Sequence, residues 1–146
     1  LRESLAKVFH PWHRGDDLWT WATLGGDGSG LFTRIAPPET FLADEELDVY
    51  VKAFEKNGIT GGLNWYRAMD LNWEDFRALP SFTIPIKSLM VTAANDTILR
   101  PELAAPMPQW IPDLRIEHIE KCSHWTQQER PAETNRVMLD FLAGLR

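Results

Sequence analysis

The sequence predicts an α/β protein in which helices come first and two strand–helix units of a parallel sheet follow. Three observations carry that expectation. Ser88-Leu89-Met90-Val91-Thr92 is a short apolar run bounded by turn residues, which reads as a buried strand. Leu114 to Lys121 sets Leu114, Ile116 and Ile119 against Arg115, Glu117 and Glu120, an imperfect alternation that reads as a second strand. Each strand runs into a loop and then a helical segment, the connection that parallel neighbours require.

Length and composition set bounds. The chain has 146 residues, 44% of them hydrophobic, which suits one small domain. A net charge of −6 without a basic stripe argues against a nucleic-acid partner. The single cysteine, Cys122, excludes an internal disulfide and offers no zinc cluster, so a reducing, cytoplasmic setting is expected, with no metal or cofactor. No apolar run approaches the ~20 residues that cross a bilayer, so no membrane partner is expected. The chain begins inside a helical pattern without methionine, as if cut from something longer.

The elements follow in order. Residues 1–10 place Leu5, Val8 and Phe9 on one face of a short helix. From Pro11 to Pro38 the pattern turns irregular, with Trp12, Trp19 and Trp21 ahead of a Gly-Gly-Asp-Gly-Ser-Gly run. No lysine follows that run, and no strand leads into it, so it reads as a loop and not a phosphate cradle. Pro37-Pro38 makes a turn. Asp44 is expected to cap a helix with Glu45 and Glu46 in its first turn and Leu47, Tyr50, Val51 and Phe54 as its stripe. Asn57-Gly58 ends it. A second helix is expected from about Leu63 to Phe76, with apolar residues over more than one face. On pattern alone Tyr66 and Met69 read as core, and Tyr50 does too. Pro80 and Pro85 mark the passage to the sheet. After the first strand, Pro101 to Trp110 reads as a helix made short or irregular by Pro106 and Pro108. After the second, Pro131 opens a helix carrying Val137, Met138, Phe141, Leu142 and Leu145.

The two loops hold the candidate chemistry. The first strand ends in Ala93-Ala94-Asn95-Asp96-Thr97 and the second in Cys122-Ser123-His124-Trp125-Thr126-Gln127. A lone loop histidine is more often a structural one. Here a carboxylate occupies the matching loop of the preceding strand, and open α/β sheets bind ligands beyond their carboxyl ends. A carboxylate so placed can fix an imidazole in one tautomer and make it a general base.

Gly61-Gly62-Leu63-Asn64-Trp65-Tyr66-Arg67, the Val91 to Asp96 segment and Cys122 to Gln127 together resemble the C-terminal half of soluble epoxide hydrolases, of the α/β-hydrolase superfamily. The likeness covers residues 44–146 in good register and 1–43 more loosely. It implies a helical cap over residues 1–79, followed by the last two strand–helix units of the core over residues 80–146. It also implies hydrolysis of a small apolar epoxide to a vicinal diol through a covalent aspartyl ester. Tyr66 then takes the place of one cap tyrosine, Asp96 of the orienting acid and His124 of the base. Trp65, Met69, Ile98, Leu99 and Trp125 fall where the family lines its apolar pocket.

The nucleophile elbow, the His-Gly-x-Pro oxyanion segment and a second cap tyrosine have no counterpart in this sequence. The chain alone is therefore expected to be inactive and to need a missing N-terminal half or a second copy of itself, giving an oligomer. Two other readings stay open: a haloalkane or haloacid dehalogenase of the same superfamily, and a non-catalytic truncated module.

Overall fold

The computed structural model describes residues 1–10 and 40–145. The Trp12, Trp19 and Trp21 group, the glycine run and Pro37-Pro38 lie outside them. The described elements are α1 (Arg2–Val8), α2 (Asp44–Asn57), α3 (Thr60–Arg67), α4 (Met69–Arg77), β1 (Ser88–Ala93), β2 (Leu114–Ile119), α5 (Thr126–Glu129) and α6 (Pro131–Ala143). Two single 3-10 turns, Pro101–Ala104 and Met107–Gln109, join β1 to β2. Pro106 and Pro108 each remove a backbone donor there, so no α-helix forms.

β1 and β2 pair in parallel, in register from Ser88 with Leu114 to Ala93 with Ile119. Beyond the strands the pairing continues into the loops. Ala94 donates its N–H to the Ile119 carbonyl at 3.0 Å, and Asn95 donates to Cys122 O at 2.9 Å. The two loops therefore leave the sheet tied edge to edge.

α1 and α2 make a separate small core. Leu5, Ala6, Phe9, Leu42 and Leu47 are buried, with Tyr50, Val51, Phe54 and Trp125 packed against them. Arg2 of α1 bridges Asp44 (2.6 Å) and Asp48 on α2. These ion pairs are exposed and add little beyond orientation. The expected apolar stripe of α2 is thus the face it buries.

Three expectations need adjustment. The N-cap of α2 is Ala43, not Asp44, which is the first helical residue. Ala43 has no side-chain acceptor, and Glu46 reaches back to accept its N–H at 2.9 Å, half of a capping box. The helix expected from Leu63 to Phe76 starts earlier and breaks at Ala68 (φ −84°, ψ −1°). Asn72 still donates to Ala68 O, so the break is a local bend between two nearly continuous pieces. The second strand stops at Ile119, because Lys121 takes a left-handed φ of 51° and turns the chain out of the sheet.

Gly58 has φ 70° and closes α2 by donating to Phe54 O at 2.8 Å, a conformation that suits a residue without Cβ. No helix among the described residues is long and apolar enough to cross a membrane.

Candidate active site

Asp96 follows β1 and is 8% exposed. Its Oδ1 accepts the backbone N–H groups of Ile98 and Leu99, both at 2.8 Å. This local turn, of the kind Asp readily forms, holds the carboxylate in place. Oδ2 is then left to face the second loop, where His124 Nδ1 lies 3.1 Å away. The same nitrogen is 3.3 Å from Oδ1. With Nδ1–H donating to the carboxylate, Nε2 carries the lone pair. The His124 side chain keeps 23% of its surface exposed, so Nε2 belongs to a ring that water can approach.

The loop bearing His124 is held from several sides. Glu129, the last residue of α5, accepts the Ser123 N–H at 2.8 Å, the Ser123 hydroxyl, and the Trp125 N–H at 3.1 Å. Arg130 donates twice to Lys121 O, at 3.0 and 2.8 Å, and pins the left-handed residue. Trp125 stacks edge-on beside His124, with ring centroids 5.2 Å apart, and lies 4.8 Å from Phe9. Its indole N–H donates to Val8 O at 2.7 Å, tying the histidine loop to α1. Tyr50 sits in that aromatic cluster, 4.5 Å from Phe9, and its hydroxyl accepts from Gln128 Nε2 at 3.1 Å.

Cys122 is a free thiol, 1% exposed. Burial pushes its pKa up to about 11, and the nearby Glu129 carboxylate adds to the shift. It stays a neutral, inert thiol at ordinary pH.

Of the residues singled out from sequence, the structure brings Asp96, His124, Ile98, Leu99 and Trp125 to one place. Ile98 and Leu99 contribute backbone donors to Asp96, while the Leu99 side chain is exposed. Trp65, Tyr66 and Met69 lie elsewhere, on α3 and at the start of α4, exposed by 80%, 73% and 61%. Among the described residues no hydrogen bond joins Tyr66 to the Asp96–His124 pair. A groove of about 550 Å³ opens between β1 and α6, lined in part by Leu89, Val91, Met138, Phe141 and Leu142. It includes neither Asp96 nor His124.

Glu129 and Gln128 are what the sequence leaves hidden. A glutamate ahead of Arg130 and Pro131 reads as a solvated residue, and no spacing rule links it back to Ser123.

No family model matches the chain. Among curated proteins, bifunctional epoxide hydrolase 2 of Sus scrofa is 36% identical over 148 residues, covering 97% of this chain and 26% of that protein. The Rattus norvegicus protein of the same name is 44% identical over 147 residues, with the same two shares. Epoxide hydrolase A of Mycobacterium tuberculosis is 36% identical over 137 residues, 90% of this chain and 42% of that protein. Among solved structures, epoxide hydrolase A from Mycobacterium thermoresistibile superposes with a TM-score of 0.80 at 34% identity, covering 98% of this chain and 46% of the other. A Vigna radiata epoxide hydrolase variant gives 0.70 at 27%, covering 82% and 41%. The chain thus spans about a quarter to a half of the length of these relatives.

Proposed function

From the match of this chain to the C-terminal part of epoxide hydrolases, which have the α/β-hydrolase fold, we propose that it carries the water-activating half of an epoxide hydrolase active site. The observation that carries the proposal is the His124 Nδ1–Asp96 Oδ2 contact at 3.1 Å, which gives Nδ1 a carboxylate partner; with the proton on Nδ1, Nε2 can serve as the base. The nucleophile is an aspartate supplied by polypeptide outside these 146 residues.

The reaction runs in two steps. In the first, the nucleophilic carboxylate attacks an epoxide carbon, the carbon–oxygen bond breaks, and an ester forms. The departing oxygen takes a proton from the Tyr66 phenol, an O–H donor to the developing alkoxide. In the second, His124 Nε2 takes a proton from water, and the hydroxide attacks the ester carbonyl. The tetrahedral intermediate collapses, and the carboxyl proton passes to the departing alkoxide, so that the vicinal diol leaves and the carboxylate is restored. The imidazolium proton returns through solvent to the Tyr66 phenolate. Asp96 stabilises the imidazolium formed in between.

Residues 1–79 act as the cap and residues 80–146 as the last strand–helix units of the core. Trp65, Met69, Ile98, Leu99 and Trp125 line an apolar pocket for a small epoxide. The large exposure of Trp65, Tyr66 and Met69 supports a cap face that closes only against further polypeptide, either the remaining half of the enzyme or a second copy.

The test is a chimera joining this chain to the N-terminal part of the Mycobacterium tuberculosis relative. His124→Gln in that chimera should permit alkylation and stop hydrolysis, so rapid mixing with an epoxide and intact-protein mass spectrometry should show one added substrate mass. Normal turnover by the variant would sink the mechanism. So would its failure to form an adduct while still binding substrate.

A further inference from the structure

We propose that Glu129 is the positioning residue for His124, clamping the backbone on both sides of the imidazole so that Nδ1 stays on Asp96. The inference rests on the reading of Asp96 and His124 as a working pair and adds a third residue to it.

His124 stands in an irregular loop, where neither a helix nor a sheet ladder fixes its backbone. A single hydrogen bond at Nδ1 constrains the ring but not the backbone that carries it. One carboxylate grips that backbone through the residue on either side. Glu129 Oε2 accepts the N–H of Ser123, the residue before the histidine, at 2.8 Å. Glu129 Oε1 accepts the N–H of Trp125, the residue after it, at 3.1 Å, together with the Ser123 hydroxyl. Ser123 is 4% exposed, so its donors have little access to water as a substitute. An unmet buried donor is costly, and hydrogen bonds to a charged acceptor are the stronger kind. The carboxylate is itself held on α5, whose last residue it is, immediately before Arg130, which fixes Lys121 O at the entry to the same loop.

The chemistry demands a carboxylate at this point. Three donors converge on two oxygens, and neither oxygen can become a donor without facing an N–H. In Glu129→Gln one of the two positions is an amide NH2, so the Ser123 N–H or the Trp125 N–H and Ser123 hydroxyl lose their acceptor. The loop should then relax, and the imidazole should leave its single tautomer.

The experiment uses the full 146-residue chain labelled uniformly with ¹⁵N, in the parent, Glu129→Gln, Glu129→Asp, Ser123→Ala and Asp96→Asn forms. Near-UV circular dichroism reports folding, and ring ¹⁵N shifts report the His124 tautomer. In the parent, the shifts should be those of an Nδ1-protonated ring. In Glu129→Gln they should move toward the averaged values of a free imidazole, and amide protection at Ser123 or Trp125 should fall about tenfold, the loss of one charge-assisted hydrogen bond. Ser123→Ala removes only the hydroxyl donor and should keep the parent's tautomer. A folded Glu129→Gln chain with unchanged ring shifts would overturn the proposal. If that variant does not fold, Glu129→Asp decides by the same criterion, since it keeps the charge but loses a methylene of reach. Asp96→Asn keeps the two readings apart. Unchanged His124 shifts there would refute the Asp96–His124 pair, whereas changed shifts there with unchanged shifts in Glu129→Gln would refute only the role given to Glu129.

Discussion

Asp96 turns one carboxylate oxygen toward its own loop and the other toward His124, and this division makes its replacement informative. Asparagine can keep an oxygen on the Ile98 and Leu99 N–H groups while presenting NH2 to the imidazole. His124 Nδ1 would then have to accept, and the proton would move to Nε2. Asp96→Asn should therefore leave the fold intact, yet slow ester hydrolysis in the chimera by about four orders of magnitude, the size of a wrong-tautomer defect. Single-turnover decay of the adduct measures it. Tyr66→Phe acts earlier: loss of one donor to the developing alkoxide should cost alkylation about 2–4 kcal/mol while leaving hydrolysis of any ester formed. Little adduct should build up, which separates it from the His124 variant. Cys122 supplies the pH dependence. Its folded pKa is raised from 9.0 to about 11, so the stability it contributes is full below about pH 9 and is lost as pH rises through about 11. Chemical denaturation across that window should show the decline, and Cys122→Ala should flatten it.

At the level of elements, the clearest gap is at the start of α2. Ala43 holds the N-cap position with no side-chain acceptor, although Glu46 already supplies the returning half of the box. Ala43→Ser should complete it and stabilise the chain by about 1 kcal/mol, read as a higher denaturation midpoint. The same element shows what could be read in advance. The stripe Leu47, Tyr50, Val51 and Phe54 and the stop at Gly58 follow from period and backbone preference, and the structure uses both. Its cap could not be read so well, because Asp44 has the right chemistry one position too late. β1 and β2 were legible from apolar runs and turn residues, and with them the parallel pairing. The bend at Ala68 was not, since neither proline nor glycine marks it and alanine is a strong helix former. At the site, Asp96 and His124 announced themselves by standing in successive loops. Glu129 did not, because its acceptors' partners come from a loop whose path is set by the left-handed turn at Lys121, and sequence spacing carries no trace of that turn.

Across the whole molecule, much apolar surface is uncovered. β1 has β2 on one side, and the groove against α6 lies beside it. On α3 and α4, Trp65, Trp73 and Phe76 are exposed by 80%, 66% and 55%. Patches of this kind mark interfaces, and among the described residues each strand has one strand neighbour, leaving an edge that invites another strand. The purified 146-residue chain should therefore exceed a monomer in mass by light scattering. A sharp monomer peak with cooperative unfolding would contradict this. Last, the indole of Trp125 and the carbonyl of Val8 meet across 117 positions of chain. Bringing such distant points together costs about 4 kcal/mol of loop-closure entropy, and contacts of that range form after local ones. The strand pair can zip up early, whereas the histidine loop acquires its last brace only when the amino-terminal helix arrives. Trp125→Phe, which keeps a ring but removes the donor, should accordingly speed unfolding and leave the refolding rate almost unchanged. On that account the site matures at the end of folding, and it is the first part to be surrendered.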